Sequence, residues 1–138
     1  SGVTTNLLNP RFLEDKIMSY GGTKNTDGSV QWNCKNVVLN TDDLSGIEYE
    51  ESTAYTLLFY GMWTNSSNKF VNIKVDYTDG TASNRDANYL FSTAGSNSYA
   101  TLVTDSSKTV DKVSFVYGSA GTILYPDKCG IFKGVKTV

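Results

Sequence analysis

Between Tyr55 and Gly80 the chain alternates between apolar and polar positions in two successive runs. In the second run Val71, Ile73, Val75 and Tyr77 alternate with Phe70, Asn72, Lys74 and Asp76. Successive side chains of a strand point to opposite faces, so this alternation predicts a half-buried strand with one polar face. The first run sets Tyr55, Leu57, Phe59 and Gly61 against Thr56, Leu58, Tyr60 and Met62. Between the runs lies a short loop through Asn65, Ser66, Ser67 and Asn68. Two extended runs joined in this way predict an antiparallel hairpin. An isolated hairpin is marginal in water, so other strands must extend the sheet and cover its apolar face.

The rest of the chain supplies candidates. Residues 6–12 read as an opening strand and turn, and residues 14–20 have weak helical character cut short by Gly21-Gly22. Asp27-Gly28 and Thr78-Asp79-Gly80 are turn signals. Residues 29–39 form the next extended run, with Val30, Trp32 and Cys34 on one face. A polar, acidic connector over residues 40–51 follows, with Ile47 and Tyr49 as a short strand, and residues 82–88 read as loop. Residues 89–91, 98–103, 110–117, 122–125 and 129–132 are further short strands, the last two separated by Pro126-Asp127-Lys128. About eight or nine short strands with turns at near-regular spacing predict an all-β protein, an antiparallel β-sandwich or jelly roll. No repeat or linker divides it, so residues 1–138 are expected to form a single domain.

Composition narrows the function more than the fold. Aromatic residues make up 12% of the chain, nine of them tyrosines, which suits β structure and recognition surfaces. The net charge is −2 and the basic residues form no run, so no nucleic-acid partner is expected. No apolar stretch approaches the roughly 20 residues of a membrane-spanning helix. No leader-like segment opens the chain, as in a mature protein or a piece of a longer one. Histidine is missing, which removes Ser-His-Asp and Cys-His catalysis and imidazole metal sites. Acidic neighbours such as Asp42/Asp43 and Asp76/Asp79 sit in connectors or turns and read as solvated charge rather than a glycosidase pair. Gly118-Ser-Ala-Gly121 lacks the lysine of a phosphate loop. The chain is therefore not expected to be an enzyme. Cys34 and Cys129 read either as a disulfide joining an early strand to the last one or as two small buried apolar residues.

Several short motifs share a family pattern. Asn6-Leu7-Leu8-x-x-x-Phe12 resembles the opening of jelly-roll carbohydrate-binding modules of the type appended to glycoside hydrolases and to phage tail proteins. Tyr55-Thr56-Leu57-x-Phe59-Tyr60-Gly61 resembles the strand after their acidic connector, and Asp79-Gly80-Thr81 their tight turn. Thr122-Ile123-x-Tyr125-x-Asp127 followed by Ile131-Phe132-Lys133-Gly134 is similar to their closing strand, particularly in phage and prophage versions. The resemblance spans most of the chain, but its motifs encode mainly core and turn. It implies a non-catalytic module on a virion tail or cell surface that recognises bacterial glycan as part of a larger, multi-copy assembly. It also implies a structural calcium ion held by an acidic residue after the opening Phe and by an Asp near the closing strand. Asp127 matches the second ligand; Leu13 follows Phe12 in place of the first, leaving Glu14 or Asp15 to substitute.

Sugar recognition needs an aromatic ring for the apolar face of a pyranose and polar groups for its hydroxyls. The outward positions of the central runs offer Tyr60, Asn72, Lys74 and Asp76, with Trp63 at the end of its strand beside the polar loop. The same face also reads as ordinary solvated sheet, and Trp63 equally as core. Tyr99 is expected in the core. A rival role is structural: a virion or surface assembly domain without a glycan ligand, whose outward Leu58 and Met62 dock onto a neighbouring subunit.

Overall fold

The structure, a computed structural model, describes residues 5–19, 21–32, 46–64, 71–84, 91, 95–117 and 121–137. Among them are the helix α1 (Pro10–Ser19) and the strands β1 (Thr23–Lys24), β2 (Val30–Trp32), β3 (Tyr55–Trp63), β4 (Val71–Tyr77), β5 (Ala82–Asn84), β6 (Ser98–Val103), β7 (Val110–Tyr117), β8 (Thr122–Leu124) and β9 (Gly130–Lys133). The strands form two antiparallel sheets. One has the order β1-β2-β8-β3-β6 with β9 also paired to β3, the other the order β5-β4-β7. Leu57 and Phe59 of the larger sheet and Ile73, Val75 and Val113 of the smaller one belong to a single buried cluster. The protein is thus mostly β, with two sheets facing one core, an arrangement compatible with a β-sandwich.

The central hairpin expected from the sequence does not form. β3 is saturated on both edges, by β6 along one side and by β8 and β9 in succession along the other. That leaves no edge for β4, which pairs with β5 and β7 in the opposite sheet. Alternation specifies which side chains are buried, not which strand lies alongside, and here only the first inference held. On β3 Tyr55, Leu57, Phe59, Gly61 and Trp63 are buried while Leu58, Tyr60 and Met62 are half-buried, and Thr56 departs from the phase, buried with its hydroxyl donating to the Gly134 carbonyl; on β4 Ile73, Val75 and Tyr77 are buried and Lys74 and Asp76 are not.

The opening segment also departs from expectation. The weak helical character expected over residues 14–20 is a helix that starts earlier, at Pro10, so residues 10–12 are helix rather than strand and turn, and the reasons lie in local chemistry. The Asn9 side chain accepts a hydrogen bond from the Arg11 amide, and Pro10 takes the first helical position, where a missing N–H costs nothing. At the other end Gly21 adopts φ 88°, its amide donating to the Met18 carbonyl and the Gly22 amide to the Ile17 carbonyl. That pair of bonds is the glycine-terminated helix stop. Leu13 and Ile17, one turn apart, bury against the core, and Phe12 stays 38% exposed. Residues 82–84, expected as loop, pair with β4 as β5, while Ile47 and Tyr49 pack on the core without forming a strand.

Both turn signals are used. Gly28 and Gly80 take positive φ, and Asp27 and Asp79 each accept hydrogen bonds from the amide and hydroxyl two residues on. Residues 65–70, with the expected loop through Asn68, and also Tyr89 and Cys34, lie outside the described residues. Cys129 is a free, buried thiol that donates to the Tyr125 carbonyl, and burial pushes its pKa up to about 12.

Candidate functional site

The site is built where the edge of β3 changes partners. β8 pairs with Gly61, Met62 and Trp63; β9 pairs with residues 55–58. Between the two strands the chain leaves the edge for a single 3-10 turn, Pro126–Lys128. Tyr125 closes the β8 register by donating its amide to the Tyr60 carbonyl. On the other side of β3, Tyr99 of β6 stands directly opposite Tyr60. Tyr60 and Tyr99 are thus paired across two strands, Tyr125 joins them from the residue just past β8, and the three side chains form a row on the outward face of the larger sheet. The Tyr60 ring lies 4.5 Å from that of Tyr99 and 5.4 Å from that of Tyr125, centroid to centroid. Interplanar angles of 51° and 58° make the row fluted rather than flat. Tyr60 and Tyr125 are half-buried, whereas Tyr99 is 44% exposed and offers the most open ring.

Polar groups frame the row. The 3-10 turn projects Lys128, whose Nζ sits 4.6 Å from the Tyr60 centroid and 5.7 Å from that of Tyr125, within cation–π range. The Tyr125 hydroxyl donates to Asp27 Oδ2 at 3.1 Å and accepts from Asn97 Nδ2 at 3.3 Å. Asp27 comes from the β1–β2 turn, where its Oδ1 accepts from the Ser29 hydroxyl and amide. These bonds, the Ser29 hydroxyl first, hold the Asp27 carboxyl below the usual aspartate range, so it stays ionised at neutral pH. The Tyr60 and Tyr99 hydroxyls are engaged by none of the described residues, which leaves two donor–acceptor groups beside exposed ring surface.

The turn that carries Lys128 is fixed from behind. Arg11 of α1 reaches Asp127 Oδ1 with Nη2 at 2.6 Å and Glu14 Oε1 with Nη1 at 2.9 Å. Lys24 Nζ also reaches Glu14 Oε1 at 2.9 Å, so the buried Glu14 has two cationic partners. The Asn6 side chain donates to the Cys129 carbonyl and accepts from the Ile131 amide, pinning the start of β9. Where the family resemblance implies calcium between two carboxylates, this chain sets a guanidinium. Asp127 and Glu14 already share one positive charge, and no group of three or more metal-ligating side chains occurs among the described residues. Calcium takes six to eight oxygen ligands, and the two carboxylates that would begin such a set are here each joined to Arg11.

The sequence-expected residues are not brought together. Tyr60 occupies the outward face as foreseen. Trp63 does not: it is 2% exposed, its ring meets Phe91 edge-on at 6.2 Å, and its Nε1 donates to the Phe91 carbonyl at 2.9 Å. A buried indole whose N–H is spent internally cannot stack on a sugar, so Trp63 belongs to the core. Lys74 and Asp76 lie on the outward face of the other sheet, across the core from Tyr60, with Lys74 Nζ 3.4 Å from Asp76 Oδ1. Their side chains are 34% and 22% exposed, and Asp76 Oδ2 is buried without a hydrogen-bond partner among the described residues. Asn72 sits on the same strand, but its side chain lies outside the described residues.

Sequence reasoning missed Tyr99, Tyr125, Lys128, Asn97 and Asp27. Tyr99, expected in the core, is instead exposed on the outward side of β6, where it faces Tyr60 across the pair; the convergence of Tyr99 and Tyr125 on Tyr60 depends on strand order, which no local pattern encodes. Comparison with protein-family models, with curated protein sequences and with solved structures returned no match.

Proposed function

We propose that this chain is a non-catalytic glycan-binding domain, a jelly-roll β-sandwich that recognises a saccharide along the tyrosine row. The observation that carries this reading is the in-register alignment of Tyr125, Tyr60 and Tyr99, framed by Lys128, Asn97 and Asp27. A saccharide has apolar C–H faces and a rim of hydroxyls, and an amphipathic surface of tyrosine rings and polar tips matches both. Tyr99 provides the open ring, with the Tyr60 and Tyr99 hydroxyls and the Asn97 amide as partners for sugar hydroxyls. The surface is shallow, and a ligand partly hydrated on binding gains little over water, so affinity per site is expected in the weak range and useful adhesion to rest on several copies. The resemblance in the opening and closing motifs supports a place on a phage or prophage tail or a bacterial surface protein, where such multivalency is available.

The test is binding of the isolated domain to a broad panel of bacterial and plant polysaccharides, repeated with Tyr99→Ala and Tyr60→Ala. Tyr99→Ala is expected to abolish measurable binding with little change in melting temperature, because the ring is largely outside the core. Absence of wild-type binding across the panel refutes the proposal. It would favour the assembly-domain alternative, although Leu58 and Met62 are only half-exposed and offer that alternative a smaller apolar patch than their outward phase suggests.

A further inference from the structure

The charges around the tyrosine row are not equally committed. Asp27 accepts three hydrogen bonds, from the Ser29 amide and hydroxyl and from the Tyr125 hydroxyl. Asp127 is held by Arg11 at 2.6 Å. Lys128 differs. It is exposed, its ammonium lies over two aromatic rings, and none of the described residues gives it a carboxylate or any other side-chain acceptor. An ammonium carries three N–H donors, and ring faces satisfy charge but not donor geometry. Asp27 keeps its negative charge, because its three donors are neutral, but its acceptor capacity is largely taken; among the described residues Lys128 is the charged group beside the row with N–H donors to spare, and it is held in place: the short turn fixes its stem and the Tyr60 ring sits beneath its head.

Resting on the glycan-binding reading, we infer that the preferred ligand is an anionic glycan, whose carboxylate or phosphodiester meets Lys128 while its sugar rings lie along Tyr60 and Tyr99. The chain as a whole carries a charge of −2, so general attraction of polyanions is not the cause. Discrimination arises from one placed charge. A charge-assisted bond at the edge of an aromatic surface, partly screened from water by the bound sugar, corresponds to about a tenfold preference over the same glycan without its charge.

The experiment is calorimetric titration of wild-type protein and of Lys128→Gln, Lys128→Arg and Tyr99→Ala with four probes. These are an oligogalacturonate, its fully methyl-esterified form, a glycerol-phosphate oligomer and a neutral glucan oligomer. The expected result is tighter wild-type binding to an anionic probe than to the uncharged ones. Lys128→Gln should remove that margin, Lys128→Arg should retain it, and added sodium chloride should reduce it. Whether the uronate or the phosphodiester arm responds identifies the source of the charge. Uncharged probes binding as well as charged ones, or an anionic margin that survives Lys128→Gln, overturns the inference. Loss of that binding in Tyr99→Ala would then show that the glycan site itself stands. Silence of all four probes together with the wider polysaccharide panel refutes both readings.

Discussion

Replacing Trp63 separates core from surface on β3. The indole is 2% exposed, contacts Phe91, and donates a buried hydrogen bond of 2.9 Å to the Phe91 carbonyl. Trp63→Ala removes the largest fully buried side chain among the described residues, and such truncations typically cost about 3–5 kcal/mol. Trp63→Phe keeps an aromatic ring against Phe91 but deletes the donor and leaves the carbonyl unsatisfied, for a loss of about 1–3 kcal/mol. Equilibrium urea unfolding followed by fluorescence and circular dichroism reads both values, provided the slope against denaturant stays constant across the series. At this chain length the alanine variant should also melt roughly 10–15 °C lower. Tyr99→Ala, by contrast, should leave stability within about 1 kcal/mol of wild type, since the ring is 44% exposed. If Trp63→Ala cost less than about 1 kcal/mol and abolished glycan binding instead, the facing of β3 would be reversed and the tyrosine row would be the wrong site.

Other consequences follow from the same geometry. Gly61→Ala should fail to give soluble, cooperatively folded protein, because an added Cβ runs into the Ile123 carbonyl of the paired β8, a backbone group that cannot swing away; a normal melting curve for this variant would contradict the β3–β8 register. Arg11→Ala should lower stability by about 1 kcal/mol, discounted for the solvent around Arg11, while neither calcium nor EDTA moves the wild-type melting temperature. A calcium-dependent rise would show that the ion competes with the guanidinium after all. Asp27, Asp79 and Asp105 have pKa values lowered chiefly by the hydroxyls of Ser29, Thr81 and Ser107. A depressed folded-state value stabilises above the unfolded value of about 4 and is lost as pH falls through the folded one, so melting temperature should hold down to about pH 4 and drop below it. Changing all three to Asn should flatten that decline, as melts between pH 6 and pH 2.5 would record.

What the sequence made legible was decided at short range. The alternation in β3 and β4 identified the buried face of each strand, because period-two burial is a property of the strand itself. The turns at Gly28 and Gly80 were legible because a tight reversal with positive φ demands glycine, and an aspartate before it can close the turn with its own carboxylate. The helix α1 was legible in part: Gly21-Gly22 marks its end and residues 14–20 show its character, while its start at Asn9-Pro10 was hidden by the apolar Leu7, Leu8 and Phe12, which suggest a strand. The hairpin was not legible. A polar loop between two extended runs fits a return along the same sheet or a crossing to the opposite one, and the choice rests on which edges of β3 are already occupied by strands far along the chain. The site inherited that ambiguity: Tyr60 was found because its facing is local, while Lys74 and Asp76 were grouped with it through a pairing that does not exist. Tyr125 and Lys128 flank a turn whose place beside Tyr60 depends on β8 and β9 sharing one edge of β3. Trp63 was misassigned because its position at a strand end says little about cover, which Phe91 provides from elsewhere in the chain.

Backbone amide chemical-shift mapping during titration with a bound oligosaccharide tests the central claim most directly. The account predicts that the largest changes cluster at Tyr60, Tyr99, Tyr125 and Lys128, extend to Asp27 and Asn97, and leave Lys74 and Asp76 unmoved. Shifts centred on Lys74 and Asp76, or on the exposed flank of α1 around Phe12, with the tyrosine row silent, would contradict it.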